Sequence, residues 1–134
     1  MARYLADTSA WHWSGRAPDR WNELLENDDL AICTPIALEL LFSARRADYR
    51  NLAGDLEGLT WVTSDADTDA MARRTQATLA KRGQHRSTTP IDILVAAHAA
   101  ANDLVLLHYD RRFDGISRAT GQAAEWLARR GSLR

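Results

Sequence analysis

One cysteine, Cys33, is all the thiol chemistry available to this chain of 134 residues. Its solitude excludes an internal disulfide and any cysteine-based zinc site. Cys33 lies in the apolar stretch Leu30-Ala31-Ile32-Cys33-Thr34, the setting of a small core residue rather than a nucleophile. Long apolar runs are also missing, and none approaches the roughly 20 residues of a membrane span. Met1-Ala2-Arg3 leads only into the short run Tyr4 to Ala6, so no secretory signal is read. A cytoplasmic protein without a membrane partner is expected. Lysine is almost absent: Lys81 stands alone and the other basic side chains are arginines, several in pairs such as Arg45-Arg46, Arg73-Arg74 and Arg111-Arg112. Arginine's planar fork suits bidentate phosphate binding, although a solvated helix face accounts for such pairs equally well. A net charge of -1 gives no global sign of a nucleic-acid binder.

What is present fits one domain over residues 1–134, with an apolar fraction of 46%. Apolar runs of strand length occur at Arg3 to Ala6, Leu30 to Thr34, Leu59 to Thr63 and Leu104 to His108. Segments of helical periodicity separate them, which argues for a parallel sheet covered by helices. Helices are expected after Asp7-Thr8-Ser9, over Asp19 to Glu26, from Thr34-Pro35 to about Arg46, over Asp48 to Glu57, over Asp65 to Arg82, and from Thr89-Pro90 to about Asn102. Thr34-Pro35 and Thr89-Pro90 both read as a cap followed by proline at the first helical position. The tail from Ile116 to Trp126 is ambiguous between a turn of helix and an edge strand.

Four carboxylates occupy places where a neutral residue would be easier to accommodate. Asp7 directly follows the first strand, and Asp110 ends Val105-Leu106-Leu107-His108-Tyr109. Glu39 lies on the helical stripe Ile36, Glu39, Leu40 and Ser43, so its helix cannot bury that face without enclosing the charge. Asp92 borders the stripe Ile91, Leu94, Val95 and His98, on a helix whose alanines allow close approach to the sheet. In an open parallel sheet, Asp7 and Asp110 leave at the same carboxyl edge, where helices entered directly from strands begin. Singly, each acid reads as a cap, a helix-dipole partner or a turn residue. Together they form a cluster whose mutual repulsion a bound cation would remove. Oxygen ligands without cysteine or a paired histidine motif favour Mg2+ or Mn2+. Two ions about 3.5 to 4 Å apart would suit phosphodiester hydrolysis, and with one ion the remaining acids would orient water.

The order of L-A-D-T-S, A-L-E-L, P-I-D-I-L-V-A-A and L-L-H-Y-D-R-R-F-D-G-I along the chain resembles the PIN-domain ribonuclease toxins of VapBC toxin-antitoxin systems, over nearly the full length. That resemblance implies a PIN-like α/β/α sandwich with a central parallel sheet, and Mg2+-dependent endonucleolytic cleavage of RNA. It also implies inhibition by a cognate VapB-type antitoxin and a homodimer. Asp7 and Asp92 match the acids most directly associated with Mg2+, and Glu39 and Asp110 complete the quartet. Ser9 matches a position whose hydroxyl commonly supports the site. Many relatives carry a second acid two residues after the Asp110 position, whereas this chain has Arg112.

RNA approaching an acidic pocket needs nearby cations, and Arg111 and Arg112 are the nearest in sequence. Arg45, Arg46, Lys81, Arg82 and Arg86 are further candidates. Trp11-His12-Trp13 offers base stacking, core packing or an interface. Leu38, Leu41 and Phe42 with the two tryptophans are candidate groove residues for an antitoxin. The histidines share no motif spacing, so structural roles are expected for them. A receiver-like phosphorylation domain fits poorly because D-T-S lacks paired acids and Lys81 is isolated, and a D-x-D phosphatase fits poorly because position 9 is serine. A noncatalytic PIN-type RNA- or protein-binding module is the alternative.

Overall fold

The computed structural model describes residues 1–134. Its frame is a five-stranded sheet in the order β3-β2-β1-β4-β5, built from β1 (Tyr4–Ala6), β2 (Leu30–Ile32), β3 (Thr60–Trp61), β4 (Val105–His108) and β5 (Ala124–Trp126). Every pairing is parallel, with Tyr4 opposite both Leu30 and Val105 and Ala6 opposite Leu107. Helices α1 (Thr8–Trp13) and α2 (Pro18–Glu26) connect β1 to β2. Next come α3 (Thr34–Phe42), α4 (Arg46–Glu57), α5 (Ala66–Lys81), α6 (Pro90–Ala101) and α7 (Arg112–Thr120).

Alternation along the central strands sorts side chains to the two faces. Leu5, Ala31 and Leu106 enter one apolar cluster with Ile36, Leu40, Leu56, Leu79, Ile93, Val95, Phe113 and Ile116 of α3 to α7. Tyr4, Ala6, Leu30 and Leu107 enter the other, against Ala10, Trp21 and Leu24 of α1 and α2 and Leu127 of the tail. The result is the expected α/β/α sandwich. Ala96, Ala97 and Ala99 are fully enclosed, as their small size on a helix against the sheet requires. Cys33 is enclosed as well, and burial pushes its thiol up to about 11, which keeps it protonated and unreactive.

Local differences from expectation have local causes. The third helix stops at Phe42 because Arg45 is extended (φ -70, ψ 152) and caps α4, with its Nε bonded to Asp48 at 3.3 Å. Thr34 is the first helical residue of α3 rather than its cap, which is Cys33. Strand β3 shrinks to an exposed pair. The ambiguous tail resolves into α7, ended by Gly121 at φ 74, followed by edge strand β5. A left-handed residue there suits glycine, which has no Cβ to clash.

The strand order reverses between β1 and β4, which continue to β2 and β5 on opposite sides. Chains diverging at such a switch point leave a crevice beyond the carboxyl ends of the strands. Asp7 follows β1 and Asp110 comes two residues after β4 at that edge.

Candidate active site

Asp7 emerges from β1 and caps α1, with only 5% of its surface exposed. Its Oδ1 accepts from Ser9 Oγ at 2.6 Å and from the Ala10 N–H at 3.3 Å, so the local D-T-S sequence anchors one oxygen. No protein donor reaches Oδ2. Burial pushes the carboxyl up to about 7, with the Asp92 charge adding to the rise and the Ser9 and Ala10 bonds opposing it. Ser9 Oγ also accepts the Tyr109 N–H at 2.8 Å and thereby ties the end of β1 to the end of β4.

Asp92 is the third residue of α6, as its sequence position implied. The Thr89 cap accepts the Asp92 N–H at 3.1 Å, while Thr88 Oγ1 donates to Asp92 Oδ2 at 3.1 Å. Glu39 is half-buried on α3, and Thr8 Oγ1 donates to its Oε1 at 2.8 Å, linking it to the residue beside Asp7. Asp92 Oδ1 and Glu39 Oε2 have no protein donor. Neither Thr8 nor Thr88 was singled out from sequence. The available signal was a hydroxyl in D-T-S and a second threonine ahead of the Thr89 cap.

Arg112 departs most from expectation. Rather than lying free beside a substrate backbone, its guanidinium grips Asp110, with Nη2 and Nε donating to Oδ2 at 2.8 and 3.0 Å. Its backbone N–H donates to Asp110 Oδ1 at 2.9 Å, so both oxygens of Asp110 are engaged. Nη1 also stands 3.8 Å from Asp92 Oδ2, and the Asp7 charge is within electrostatic reach. Burial raises the Asp110 pKa, but the bonds and charge of Arg112 outweigh it and leave the carboxyl below its ordinary value. The bond to Asp110 first, then the neighbouring acids, hold Arg112 firmly protonated.

Arg112 therefore bonds Asp110 and approaches Asp92, with the Asp7 charge in electrostatic reach, while Glu39 is tied to Thr8 beside Asp7. In this arrangement no three His, Cys, Asp or Glu side chains stand close enough to hold one metal ion among themselves. The donor set nonetheless fits a hard cation: it is all oxygen, and Asp7, Glu39 and Asp92 each keep one oxygen without a protein donor.

The remaining candidates divide. Asp114 accepts from Trp126 Nε1 at 3.0 Å and pairs with Arg130 at 3.5 Å. His98 is enclosed, bridging Leu94 O and Ser64 Oγ, each at 2.8 Å. His108 is enclosed too, and burial holds its pKa below the ordinary value despite nearby Asp114 and Asp110. Both histidines are structural, as expected. Trp11 packs edge-on to Trp21 at 4.9 Å, and Trp13 packs on Tyr109 at 5.1 Å. Leu38 (63% exposed), Phe42 (91%) and Ile91 (40%) line a depression of about 360 Å³ that also includes Thr8, His12 and Glu39. A larger hollow of about 580 Å³ lies at the opposite sheet edge, beside Asp103 and Val105, and none of the four acids lines it.

A parallel sheet with carboxylates at the carboxyl ends of its central strands defines a class of α/β domain whose functional residues lie at the switch point. The chain belongs to the PIN domain family, whose signature matches residues 4–119. It is 38% identical to Ribonuclease VapC18 of Mycobacterium tuberculosis over 97% of this chain and 98% of the relative. Ribonuclease VapC51 of the same organism is 34% identical, covering 98% of this chain and 97% of its own. The fold is also that of a chain in the crystal structure of DNA-bound VapBC from Salmonella typhimurium, with TM-score 0.78 and 23% identity over 96% of this chain and 100% of that one. No helix is long and apolar enough to cross a membrane.

Proposed function

We propose that this protein is a divalent-metal-dependent endoribonuclease and the toxin half of a toxin-antitoxin pair, with Mg2+ as the working ion and Mn2+ as a substitute. The state of Asp7 carries the reading: a carboxyl 5% exposed, pushed up to about 7 by burial and by Asp92, with one oxygen unclaimed by the protein. Such a group is costly as an anion unless a cation reaches it. Asp7 and Asp92 would hold the ion, while Glu39 and Asp110 complete the network that orients water. When bound, the ion supplies water activation and charge stabilisation at the phosphoryl oxygens.

The chain's own residues prepare that step. Ser9 fixes Asp7, Thr8 fixes Glu39, and Thr88 fixes Asp92 through the bonds described above. Arg112 limits the repulsion between Asp92 and Asp110. In-line displacement leaves a 5′-phosphate and a 3′-hydroxyl, and Arg111 contacts the RNA backbone. The exposed Leu38, Phe42 and Ile91 beside Glu39 support docking of a VapB-type antitoxin segment over the site mouth. A homodimer completes the proposed assembly, to be measured by sedimentation.

Incubation of purified protein with RNA tests the reading. Cleavage is expected with Mg2+ and lost both in EDTA and in Asp7→Asn, with end mapping giving 5′-phosphate products. RNA bound but uncut under every divalent ion would favour the noncatalytic binding module.

A further inference from the structure

Helix α7 turns Phe113 and Ile116, each 1% exposed, into the core. At 3.6 residues per turn its opposite side carries Gly115 and Arg118, in line with Arg111 at its N-cap. That side forms one wall of a cleft of about 420 Å³ whose eight lining residues include no apolar side chain. Gln84 and Ser87, from the loop between α5 and α6, and Arg130 of the tail also line it. Four of the eight are arginines, in a chain of net charge -1.

Their charges are not all spent. Asp114, the only acid in the cleft, gives one oxygen to Trp126 Nε1 and pairs the other with Arg130. Arg112 is turned onto Asp110 and Asp92. Arg111 and Arg118 have no carboxylate within 4.0 Å. Between them Gly115 leaves a gap, since a Cβ built there would meet nothing within 4 Å. A glycine inside a helix weakens it relative to alanine, while opening room for a ligand backbone to approach. Arg112 lines this cleft and also contacts Asp92 and Asp110, so the cleft lies beside the acids.

We infer that this cleft carries the phosphodiester backbone of the RNA strand next to the cleaved bond, with Arg118 extending the contacts beyond Arg111 and Gly115 as the floor. Phosphate suits the lining: guanidinium forks donate to its oxygens in pairs, and the absence of apolar side chains leaves no pocket for a hydrophobic peptide anchor. Contacts of this kind position a strand without reading its sequence. The inference rests on the ribonuclease reading above and assigns a direction to substrate approach, along α7 and away from the exposed Leu38 and Phe42.

Two variants test it, Arg118→Glu and Gly115→Leu, the second filling the gap without changing charge. Affinity for a fluorescein-labelled unstructured 20-nucleotide RNA is measured against salt in an Asp7→Asn background, where binding is read without turnover. Hydrolysis of bis(p-nitrophenyl) phosphate, too small to span the cleft, is measured with the acids intact. Arg118→Glu is expected to weaken RNA binding about tenfold and to lower the log-log salt slope by about 0.7. Gly115→Leu should weaken binding with the slope kept, and both should spare the small diester. Unchanged affinity in variants that keep the parental melting temperature would overturn the inference. So would equal loss on RNA and the small diester, or displacement of RNA by polyglutamate as readily as by an abasic phosphodiester strand. Failure of the parent to cut RNA with any divalent ion would count against the ribonuclease reading alone, since the binding arms need no cleavage.

Discussion

Ser9 Oγ donates to Asp7 Oδ1 at 2.6 Å and accepts the Tyr109 N–H at 2.8 Å, so one hydroxyl both steadies the buried acid and joins two strand ends. Ser9→Ala leaves the Tyr109 N–H without this partner and removes a bond that favours the Asp7 anion. Chemical denaturation should show a loss of about 1 to 3 kcal/mol. The acid limb of the cleavage pH profile should move to higher pH, and Ser9→Thr should restore part of both effects.

The Asp7 carboxyl titrates near 7 when folded, against about 3.9 in an unfolded chain. Between those values the native state holds more protons than the unfolded one, so metal-free stability is greatest at low pH and falls as pH rises through about 7. Asp7→Asn keeps the side-chain carbonyl for Ser9 and Ala10 but cannot ionise. It should therefore melt higher than the parent at pH 8, by an amount on the order of 2 to 4 kcal/mol, and show little of that gain at pH 4. RNA cleavage should be lost at either pH. A variant less stable than the parent at pH 8 would contradict a buried, uncompensated carboxylate.

Mn2+ titration followed by electron paramagnetic resonance checks the position of Arg112. Its charge lies 2.8 Å from Asp110 and 3.8 Å from Asp92, in the space where a cation gains most. Removing one unit charge at such a distance, largely screened by solvent, is worth about 1 kcal/mol. Arg112→Ala should accordingly bind Mn2+ about five- to tenfold more tightly. Weaker binding in this variant would mean that Arg112 organises the acids instead of competing for them.

Phe42 is 91% exposed and Leu38 63%, although both are strongly apolar. Phe42→Glu should leave RNA cleavage and melting temperature close to parental values while weakening capture by the co-expressed antitoxin at least tenfold. Unimpaired capture would move the proposed interface elsewhere.

Sequence and structure agree where the governing signal is local. Thr89 followed by Pro90 opens α6 and sets Asp92 in its first turn, and the apolar runs at Tyr4 and Val105 become the two central strands. The acids at their ends followed from parallel topology alone. Signals failed where contacts across the chain decide. Ala124-Glu125-Trp126 has too few residues to declare a strand, and it becomes one by pairing with β4 while Glu125 meets Arg20 at 2.6 Å. The return of Arg112 towards Asp92, on another helix, has no sequence signature. Leu41 and the two tryptophans looked available for a partner but are partly buried against neighbours inside the fold, leaving Leu38 and Phe42 outward.

The pairing of β1 with β4 joins parts of the chain made far apart in time, for Ser9 and Tyr109 are separated by 100 residues. A ribosome synthesises Asp7 long before Asp110, so the two strand ends cannot meet on a nascent chain until β4 has been translated. Assembly of the acids from the two halves of the chain is thereby tied to the arrival of β4 beside β1.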